Sequence, residues 1–387
     1  MYRKFRMKKL LKSVLLLSTV LASSAMACTA ITLKGNDGDV VAGRTMEWGF
    51  TWDWSLTYIP AGTSHTLTAP EDLNLPAKKY LSKYSVLGIG LAINKDNFAI
   101  LDGQNNQGLS LSANYLPGFT QYQQVDKDDK NYASILEIAT YILSQYNSID
   151  EAKKGLENIK VWNDKSTDVN GVIPELHFLI SDKSGSAIVV EYVKGEVHFY
   201  QLELDLKVMT NAPTYDWHLV NIRNYLNLSN KTVSRMKLYN ENDVVPNHTY
   251  KIMDALGQGN GLLGMPGDYS PPSRFIRTAV LGYYSNNDNI KDESTLNRVA
   301  HILHNADIPK GVVAENIDGK TYYDHTVFTS IKDLTNDTLY INIYNNPLNS
   351  VSINLDTLDK NHTKAFVKNI KQLPYPKSDI TGSLVSA

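Results

Sequence analysis

The chain has almost no cysteine, no excess of charge of either sign and no long apolar run. One cysteine among 387 residues excludes an intrachain disulfide. Lys plus Arg is 38 and Asp plus Glu is 40, so no net positive field exists to collect nucleic acid or an anionic membrane. No run reaches the roughly 20 apolar residues of a transmembrane helix. We therefore expect no nucleic-acid partner, and no membrane contact beyond export.

Cofactor motifs and domain linkers are missing as well. The sequence has no HExxH motif and no glycine-rich phosphate loop. His301 and His304 stand three residues apart without further ligand residues, which favours a structural or surface role. We therefore expect no metal and no organic cofactor. Because no linker, charge block or repeat divides the chain, we predict a single domain over residues 28–387.

The first residues have the features of an export signal. A basic segment precedes the short apolar run Val14–Ala22, and Ala25-Met26-Ala27 places small residues where signal peptidase requires them. We expect residues 1–27 to be removed and the protein to be exported, to the periplasm or the medium. The alternative is an uncleaved N-terminal anchor.

Removal of residues 1–27 makes Cys28 the first residue of the mature chain. Two chemistries use a cysteine there: lipidation, which gives an anchored binding protein, and catalysis by an N-terminal nucleophile. Lipoprotein signals usually have leucine three residues before the cysteine, where this chain has Ala25. The sequence therefore favours a free Cys28, and the lipid-anchored binding protein is the alternative of another class.

The predicted fold has hairpins near both ends of the mature chain and helices between them. Thr29–Leu33 and Val40–Arg44 flank a turn-rich segment and predict a hairpin that brings Cys28 beside the segment from Arg44 to Glu47. Apolar residues at helical spacing predict a helix over Tyr132–Gln145. Locally connected strands give antiparallel sheets with helices outside them, so we expect an α+β fold.

An N-terminal cysteine can hydrolyse an amide without a histidine. The α-amino group has a pKa of about 7.7–8.0 and can take the proton of its own thiol. The thiolate then attacks the carbonyl carbon, and the protonated amine donates to the leaving nitrogen. An oxyanion site completes the machinery, for which an asparagine amide is a suitable donor.

Five spaced motifs resemble those of one known family, the choloylglycine hydrolases and penicillin V acylases, which are N-terminal-nucleophile cysteine hydrolases. The resemblance covers essentially the whole mature chain. The motifs are Cys28-Thr29, Gly43-Arg44-Thr45-Met46-Glu47, Asp102-Gly103-Gln104-Asn105-Asn106-Gln107-Gly108-Leu109, Thr210-Asn211-Ala212-Pro213-Thr214-Tyr215-Asp216-Trp217 and Pro266-Gly267-Asp268-Tyr269-Ser270-Pro271-Pro272-Ser273-Arg274-Phe275.

The resemblance implies a four-layer αββα sandwich, hydrolysis of linear amide C–N bonds and a homo-oligomer, a tetramer. It implies that Cys28 is nucleophile and base, Arg44 the arginine beside it, Asn211 the oxyanion donor and Arg274 a supporting arginine. Glu47 departs from the family, which usually has Asp there accepting a hydrogen bond beside the nucleophile.

The substrate is predicted from residues near the nucleophile. Met46, Trp48 and the aromatic residues that follow predict an apolar substrate wall: Phe50, Trp52, Trp54 and Tyr58. By the same resemblance, bile-salt-type members tend to have Asn where this chain has Tyr115, and penicillin V acylases tend to have Tyr. Asn114 directly precedes Tyr115, so an alignment with the family that is shifted by one residue places Asn at this position and predicts a bile-salt-type substrate instead. We predict a small-molecule amide substrate of the penicillin V type; conjugated bile salts and N-acyl homoserine lactones are the alternatives.

Overall fold

The computed structural model describes residues 27–92, 98–169, 172–202, 207–237, 252–286, 290, 293–317 and 319–376. The leader predicted over residues 1–27 lies outside these ranges except for Ala27, so it stays a prediction. Within the described ranges, no helix is long and apolar enough to cross a membrane.

The described residues form 21 strands and six α-helices. The strands are β1 (Cys28–Lys34), β2 (Val40–Trp48), β3 (Ser55–Ile59), β4 (Ser64–Leu67), β5 (Lys78–Leu81), β6 (Val86–Ala92), β7 (Phe98–Asn105), β8 (Ser110–Tyr115), β9 (Tyr132–Ser134), β10 (Lys160–Trp162), β11 (Leu176–Ser181), β12 (Ala187–Val193), β13 (Glu196–Gln201), β14 (Val208–Met209), β15 (Arg235–Lys237), β16 (Ile252–Asp254), β17 (Val313–Ile317), β18 (Lys320–Asp333), β19 (Thr338–Ile343), β20 (Asn346–Asn354) and β21 (Phe366–Asn369). The helices are α1 (Ile135–Gln145), α2 (Ile149–Glu157), α3 (Tyr215–Asn221), α4 (Pro271–Ser285), α5 (Thr295–His304) and α6 (Leu355–Asn361).

Two large antiparallel sheets carry the fold. The first has the order β14-β1-β2-β18-β19-β20, with β17 paired to β18, and the second has the order β13-β12-β11-β8-β7-β6-β3-β21. Helices α4 and α5 cover the outer face of the first sheet, and α1 packs on the second. The inner faces meet through contacts such as that between Thr32 Oγ1 and Ser181 Oγ, 2.6 Å apart. The predicted four-layer αββα sandwich with antiparallel sheets is confirmed.

The hairpin of β1 and β2 forms as predicted and places the nucleophile candidate. Gly38 takes a positive φ of 88° in its turn, a conformation that favours glycine. The antiparallel register pairs Cys28 with Met46. Side chains alternate along β2, so Arg44 faces the second sheet while Gly43 faces α5.

Helix starts follow local capping chemistry. The predicted helix over Tyr132–Gln145 begins later, at Ile135, because Ser134 and Glu137 form a capping box and Tyr132–Ser134 pairs as β9. Ser148 caps α2 by accepting a hydrogen bond from the Glu151 amide.

Strands β3 to β5 and helix α6 were not predicted, since their sequences carry no strong periodicity.

Gly43 sets how closely α5 approaches the first sheet. A Cβ built on Gly43 lies 2.6 Å from both Val299 Cγ1 and Leu303 Cδ1 in the buried face of α5. We expect Gly43→Ala to lower the free energy of unfolding by about 1–3 kcal/mol through overpacking. Gly257→Ala is the control, since nothing lies within 4 Å of its Cβ position, and it should stay within about 0.5 kcal/mol. Equal urea midpoints for the two variants would contradict this packing.

Candidate active site

Cys28 is the first residue of β1 and is held through its backbone. Its N–H donates to Asn211 Oδ1 at 2.7 Å, and its carbonyl accepts from Arg274 Nη1 at 2.6 Å. In the structure this nitrogen is the amide linking Ala27 to Cys28, and it stands in for the amine of a chain that begins at Cys28. Two side chains distant in sequence therefore fix the position of this backbone.

Arg44 approaches the thiol from the neighbouring strand. Its Nη2 lies 3.4 Å from Cys28 Sγ and donates to the Ala113 carbonyl at 2.6 Å, while its Nε donates to Asn114 Oδ1 at 3.1 Å. Burial raises the pKa of the Cys28 thiol, and the positive charge of Arg44 acts in the opposite direction. Arg44 Nη1 is buried without a partner among the described residues, so its N–H groups are left without an acceptor there.

Asn211 and Arg274 form one hydrogen-bonded unit around the start of β1. Asn211 Oδ1 accepts from Arg274 Nη2 at 2.7 Å as well as from Cys28, and its Nδ2 donates to the Tyr115 carbonyl at 2.8 Å. An asparagine amide has two N–H bonds, and the contact with Tyr115 uses one of them. Arg274 also donates to Thr29 Oγ1 at 2.7 Å, so the unit spans four segments of the chain.

Glu47 lies on the other face of β2, away from the thiol. Its Oε1 accepts from Thr326 Oγ1 at 2.9 Å, and its Oε2 is buried with no partner in the described part of the chain. Burial raises the pKa of this carboxyl to about 7, while Arg274 and Thr326 oppose the shift. The family Asp is expected to accept a hydrogen bond beside the nucleophile; the hydrogen bond of Glu47 goes to Thr326 instead. The backbone N–H of Glu47 donates to the Ala27 carbonyl at 2.9 Å.

A narrow apolar cavity opens beside the thiol, with a free volume of about 50 Å³. Met46 lies next to the sulfur, with 3.7 Å between Sδ and Cys28 Sγ. The Trp48 and Trp52 rings pack with their centroids 4.4 Å apart. The cavity is lined by Cys28, Arg44, Met46, Trp48, Trp52, Trp54, Leu91, Ala99, Leu101, Ala113, Tyr115, Leu136, Val169, Val172, Pro174 and Leu176.

Two of the five predicted aromatic wall residues lie elsewhere. Phe50 packs on Tyr322 with ring centroids 4.7 Å apart. Tyr58 donates its hydroxyl to Asp359 and packs on Phe366, because β3 turns its side chain toward the far edge of the second sheet.

Tyr115 and Asn114 face different surroundings, as neighbours on a strand do. Tyr115 lines the cavity and donates its hydroxyl to Glu175 Oε2 at 3.1 Å. The Asn114 side chain instead lies between Arg44 and the Thr210 carbonyl, to which its Nδ2 donates at 2.8 Å. Tyr115 is therefore the one of this pair that reaches the cavity.

Two residues that the sequence did not predict as site residues make hydrogen bonds to Glu47 and Arg274. Thr326 on β18 binds Glu47, and the Tyr269 carbonyl accepts from Arg274 Nε at 2.9 Å. The pairing of β18 with β2 joins positions 279 residues apart. The spacing of apolar residues within one segment cannot predict such a contact.

Comparisons with known proteins identify the family and the fold. The linear amide C–N hydrolases of the choloylglycine hydrolase family have a sequence model that matches residues 28–366. The bile salt hydrolase/transferase of Clostridium perfringens is 32% identical over 347 residues, covering 88% of this chain and 97% of that protein. The solved structure of a variant of the conjugated bile acid hydrolase from Clostridium perfringens has a TM-score of 0.74 at 29% identity, covering 88% of this chain and 97% of that one. The structure of penicillin V acylase from Agrobacterium tumefaciens has a TM-score of 0.66 at 20% identity and covers 88% and 90% of the two chains, a likeness of fold.

The raised pKa of Glu47 predicts a dependence of stability on pH. Below pH 4.5 the carboxyl is protonated in both the folded and the unfolded chain. Between pH 4.5 and about 7 only the unfolded chain ionises, so unfolding releases a proton and stability falls as pH rises. This loss of stability amounts to about 3 kcal/mol and is complete above pH 7.

Glu47→Gln should remove this dependence of stability on pH. Urea unfolding at pH 4.5 and pH 8 should show a smaller loss of free energy in the variant than in the parent chain. Glu157→Gln, at an exposed position, is the control for loss of one carboxyl, and its free energy of unfolding should depend on pH as that of the parent chain does. The same pH dependence in Glu47→Gln and in the parent chain would show that Glu47 is ionised in the fold.

Proposed function

Because the chain belongs to the choloylglycine hydrolase family of linear amide C–N hydrolases, we propose that it is cut after Ala27 and that the freed Cys28 is its nucleophile. Two observations support the cut: the family match begins at Cys28, and Ala25-Met26-Ala27 fits signal peptidase. The same leader supports export, to the periplasm or the medium. The homotetramer implied by the resemblance stays a prediction.

The arrangement around Cys28 carries the proposal. Asn211 Oδ1 accepts the N–H of Cys28, and this contact orients the lone pair of a freed amine. The amine lies two bonds from Cβ and can take the thiol proton directly or through one water. Arg44 Nη2 beside Sγ stabilises the thiolate that results.

The reaction then runs in two steps. The Cys28 thiolate attacks the amide carbon, the C–N bond breaks, and the protonated amine gives its proton to the leaving nitrogen. Water next cleaves the acyl-thioester, with the same amine as base, and releases the carboxylic acid. The second N–H of Asn211 Nδ2 is the proposed donor to the oxyanion in both steps.

Removal of Ala27 changes one further contact. The Glu47 N–H, which donates to the Ala27 carbonyl at 2.9 Å, then faces the new amino terminus without that partner. A buried N–H needs an acceptor, so we expect a water between it and the amine. Such a water would lie where it can carry the proton from thiol to amine.

The cavity favours an apolar acyl group with a flat ring. Trp48, Trp52 and Trp54 supply stacking surfaces, and most other lining side chains are aliphatic. The aliphatic part of the wall offers no hydrogen-bond partner to the hydroxyl groups of a steroid. We therefore place phenoxyacetyl-type amides first.

Conjugated bile salts are the second candidate. The relative from Clostridium perfringens is named a bile salt hydrolase/transferase, and the match covers 97% of its length. The steroid acyl group is far larger than phenoxyacetyl, so the cavity must be wider for a bile conjugate than for a phenoxyacetyl amide. Hydrolysis of N-acyl homoserine lactones remains a further alternative within the same reaction class.

An acyl-enzyme on Cys28 tests the nucleophile. Mixing the mature chain with a phenoxyacetyl amide and quenching in acid should give one adduct of phenoxyacetyl mass on the peptide that begins at Cys28. Cys28→Ala should stay folded and give none. The same spectrum gives the mass of the amino terminus, and a diacylglyceryl group on Cys28 would instead support the anchored binding protein.

Relative rates test the substrate. We expect a higher kcat/KM for a phenoxyacetyl amide than for a glycine-conjugated bile acid, and a smaller ratio in Tyr115→Asn because the wall is widened. Tyr283→Asn is the control, since Tyr283 is exposed and outside the cavity, and it should keep the parental ratio. Faster hydrolysis of the bile conjugate by the parent enzyme would overturn the order of the two candidates.

A further inference from the structure

A buried histidine and glutamate lie behind the segment that carries Asn211. His177 on β11 and Glu191 on β12 are 1% and 0% exposed, and 3.0 Å separates Nδ1 from Oε1. On these antiparallel strands Phe178 pairs with Val190; His177 directly precedes Phe178 and Glu191 directly follows Val190, so the two lie opposite each other. Nothing in the proposed chemistry at Cys28 uses them directly.

The pair holds the Asn211 segment on both sides. His177 Nε2 bonds the Thr210 carbonyl at 3.1 Å, one residue before Asn211. Glu191 Oε1 accepts from the Tyr215 N–H at 3.0 Å, at the first residue of α3. The five-residue segment from Asn211 to Tyr215 is thus tied to two adjacent strands of the second sheet.

The contacts define where the protons lie. The Thr210 carbonyl only accepts, so His177 Nε2 carries a hydrogen. Both ring nitrogens are then hydrogen-bonded, and the imidazole plane is fixed.

A second route leads from the pair to Arg44. The Thr210 carbonyl also accepts from Asn114 Nδ2 at 2.8 Å, and Asn114 Oδ1 accepts from Arg44 Nε at 3.1 Å. Arg44 in turn lies 3.4 Å from the Cys28 sulfur. The carbonyl of Thr210 therefore links the buried pair to the group beside the thiol.

We infer that His177 and Glu191 are positioning residues that hold the Asn211 amide and the Arg44 guanidinium against Cys28. The inference rests on the proposed roles of Cys28 and Asn211. Burying such a pair costs desolvation, and apolar side chains of similar volume stabilise folds as well or better. What apolar residues cannot supply is the pair of directed hydrogen bonds to Thr210 and Tyr215.

The test replaces both members together, since removing one leaves a buried group unpaired. The mature double variant His177→Leu/Glu191→Leu should unfold within a few degrees of the parent. Its kcat toward a phenoxyacetyl amide should fall about 100-fold, because a shift of about 1 Å misplaces the donor, while KM changes less than about twofold.

Leu156→Ala on α2 is the control for general destabilisation. Leu156 is buried in the core against the second sheet, so its truncation should lower the unfolding temperature and leave kcat at 25 °C unchanged. Loss of kcat in Leu156→Ala equal to that of the double variant would reduce the pair to a structural role.

A double-mutant cycle with Asn211→Ala separates positioning from an independent effect. If the pair acts through Asn211, adding Asn211→Ala to the double variant should slow it by much less than the 10²–10³-fold expected in the parent. Fully multiplicative losses would overturn the inference.

A readout without amide hydrolysis distinguishes this inference from the proposed function. The rate of Cys28 alkylation by iodoacetamide, followed against pH, reports the pKa of the thiol beside its own α-amine, Arg44, Glu47 and Arg274. Displacement of Arg44 in the double variant should raise that pKa, because Arg44 lowers it. An unchanged profile refutes the inference. A parent enzyme that reacts with iodoacetamide but never acylates refutes the proposed function alone.

Discussion

The site depends on the hydrogen bonds that hold the backbone of Cys28 at the end of a strand. In the proposed mature chain Cys28 is the first residue, and such residues normally fray because they lack neighbours along the chain. Here Asn211 takes the N–H and Arg274 takes the carbonyl, at 2.7 and 2.6 Å. Each comes from a segment outside the hairpin, so the fold must be assembled before Cys28 is positioned. The nitrogen and sulfur that we propose to react are thereby fixed relative to Asn211, the proposed oxyanion donor.

Buried charge surrounds this backbone on both faces of the first sheet. Arg44 lies on the inner face beside the sulfur, while Arg274 and Glu47 lie on the side of α4 and α5. Burial raises the pKa values of Cys28 and Glu47 and lowers that of Arg274, so each group is pushed toward its neutral form. The two arginines offset this penalty at the thiol, because both lower its pKa. The sheet separates the groups, and their charges act across it.

Local sequence chemistry predicted the hairpin and the position of Cys28 at the start of its first strand. Both features depend on turn residues and apolar runs that lie within a few positions of one another. The resemblance supplied Arg44, Asn211 and Arg274, which the structure brings together around Cys28. The run of aromatic residues after β2 wrongly predicted Tyr58 in the cavity wall, because β3 carries this side chain to the far edge of the second sheet. Thr326, His177 and Glu191 were missed because strand pairing across long separations brings them to the site, and no local pattern encodes that pairing.

The most direct test of the central claim compares two chains that differ only by Ala27. One begins at Cys28 after cleavage of a fusion protein, and the other retains Ala27 before it. An amide nitrogen is not basic, so the extended chain should hydrolyse a phenoxyacetyl amide at least ~100-fold more slowly at saturating substrate, although both chains fold alike. Equal kcat values for the two chains would contradict catalysis by the freed amine of Cys28.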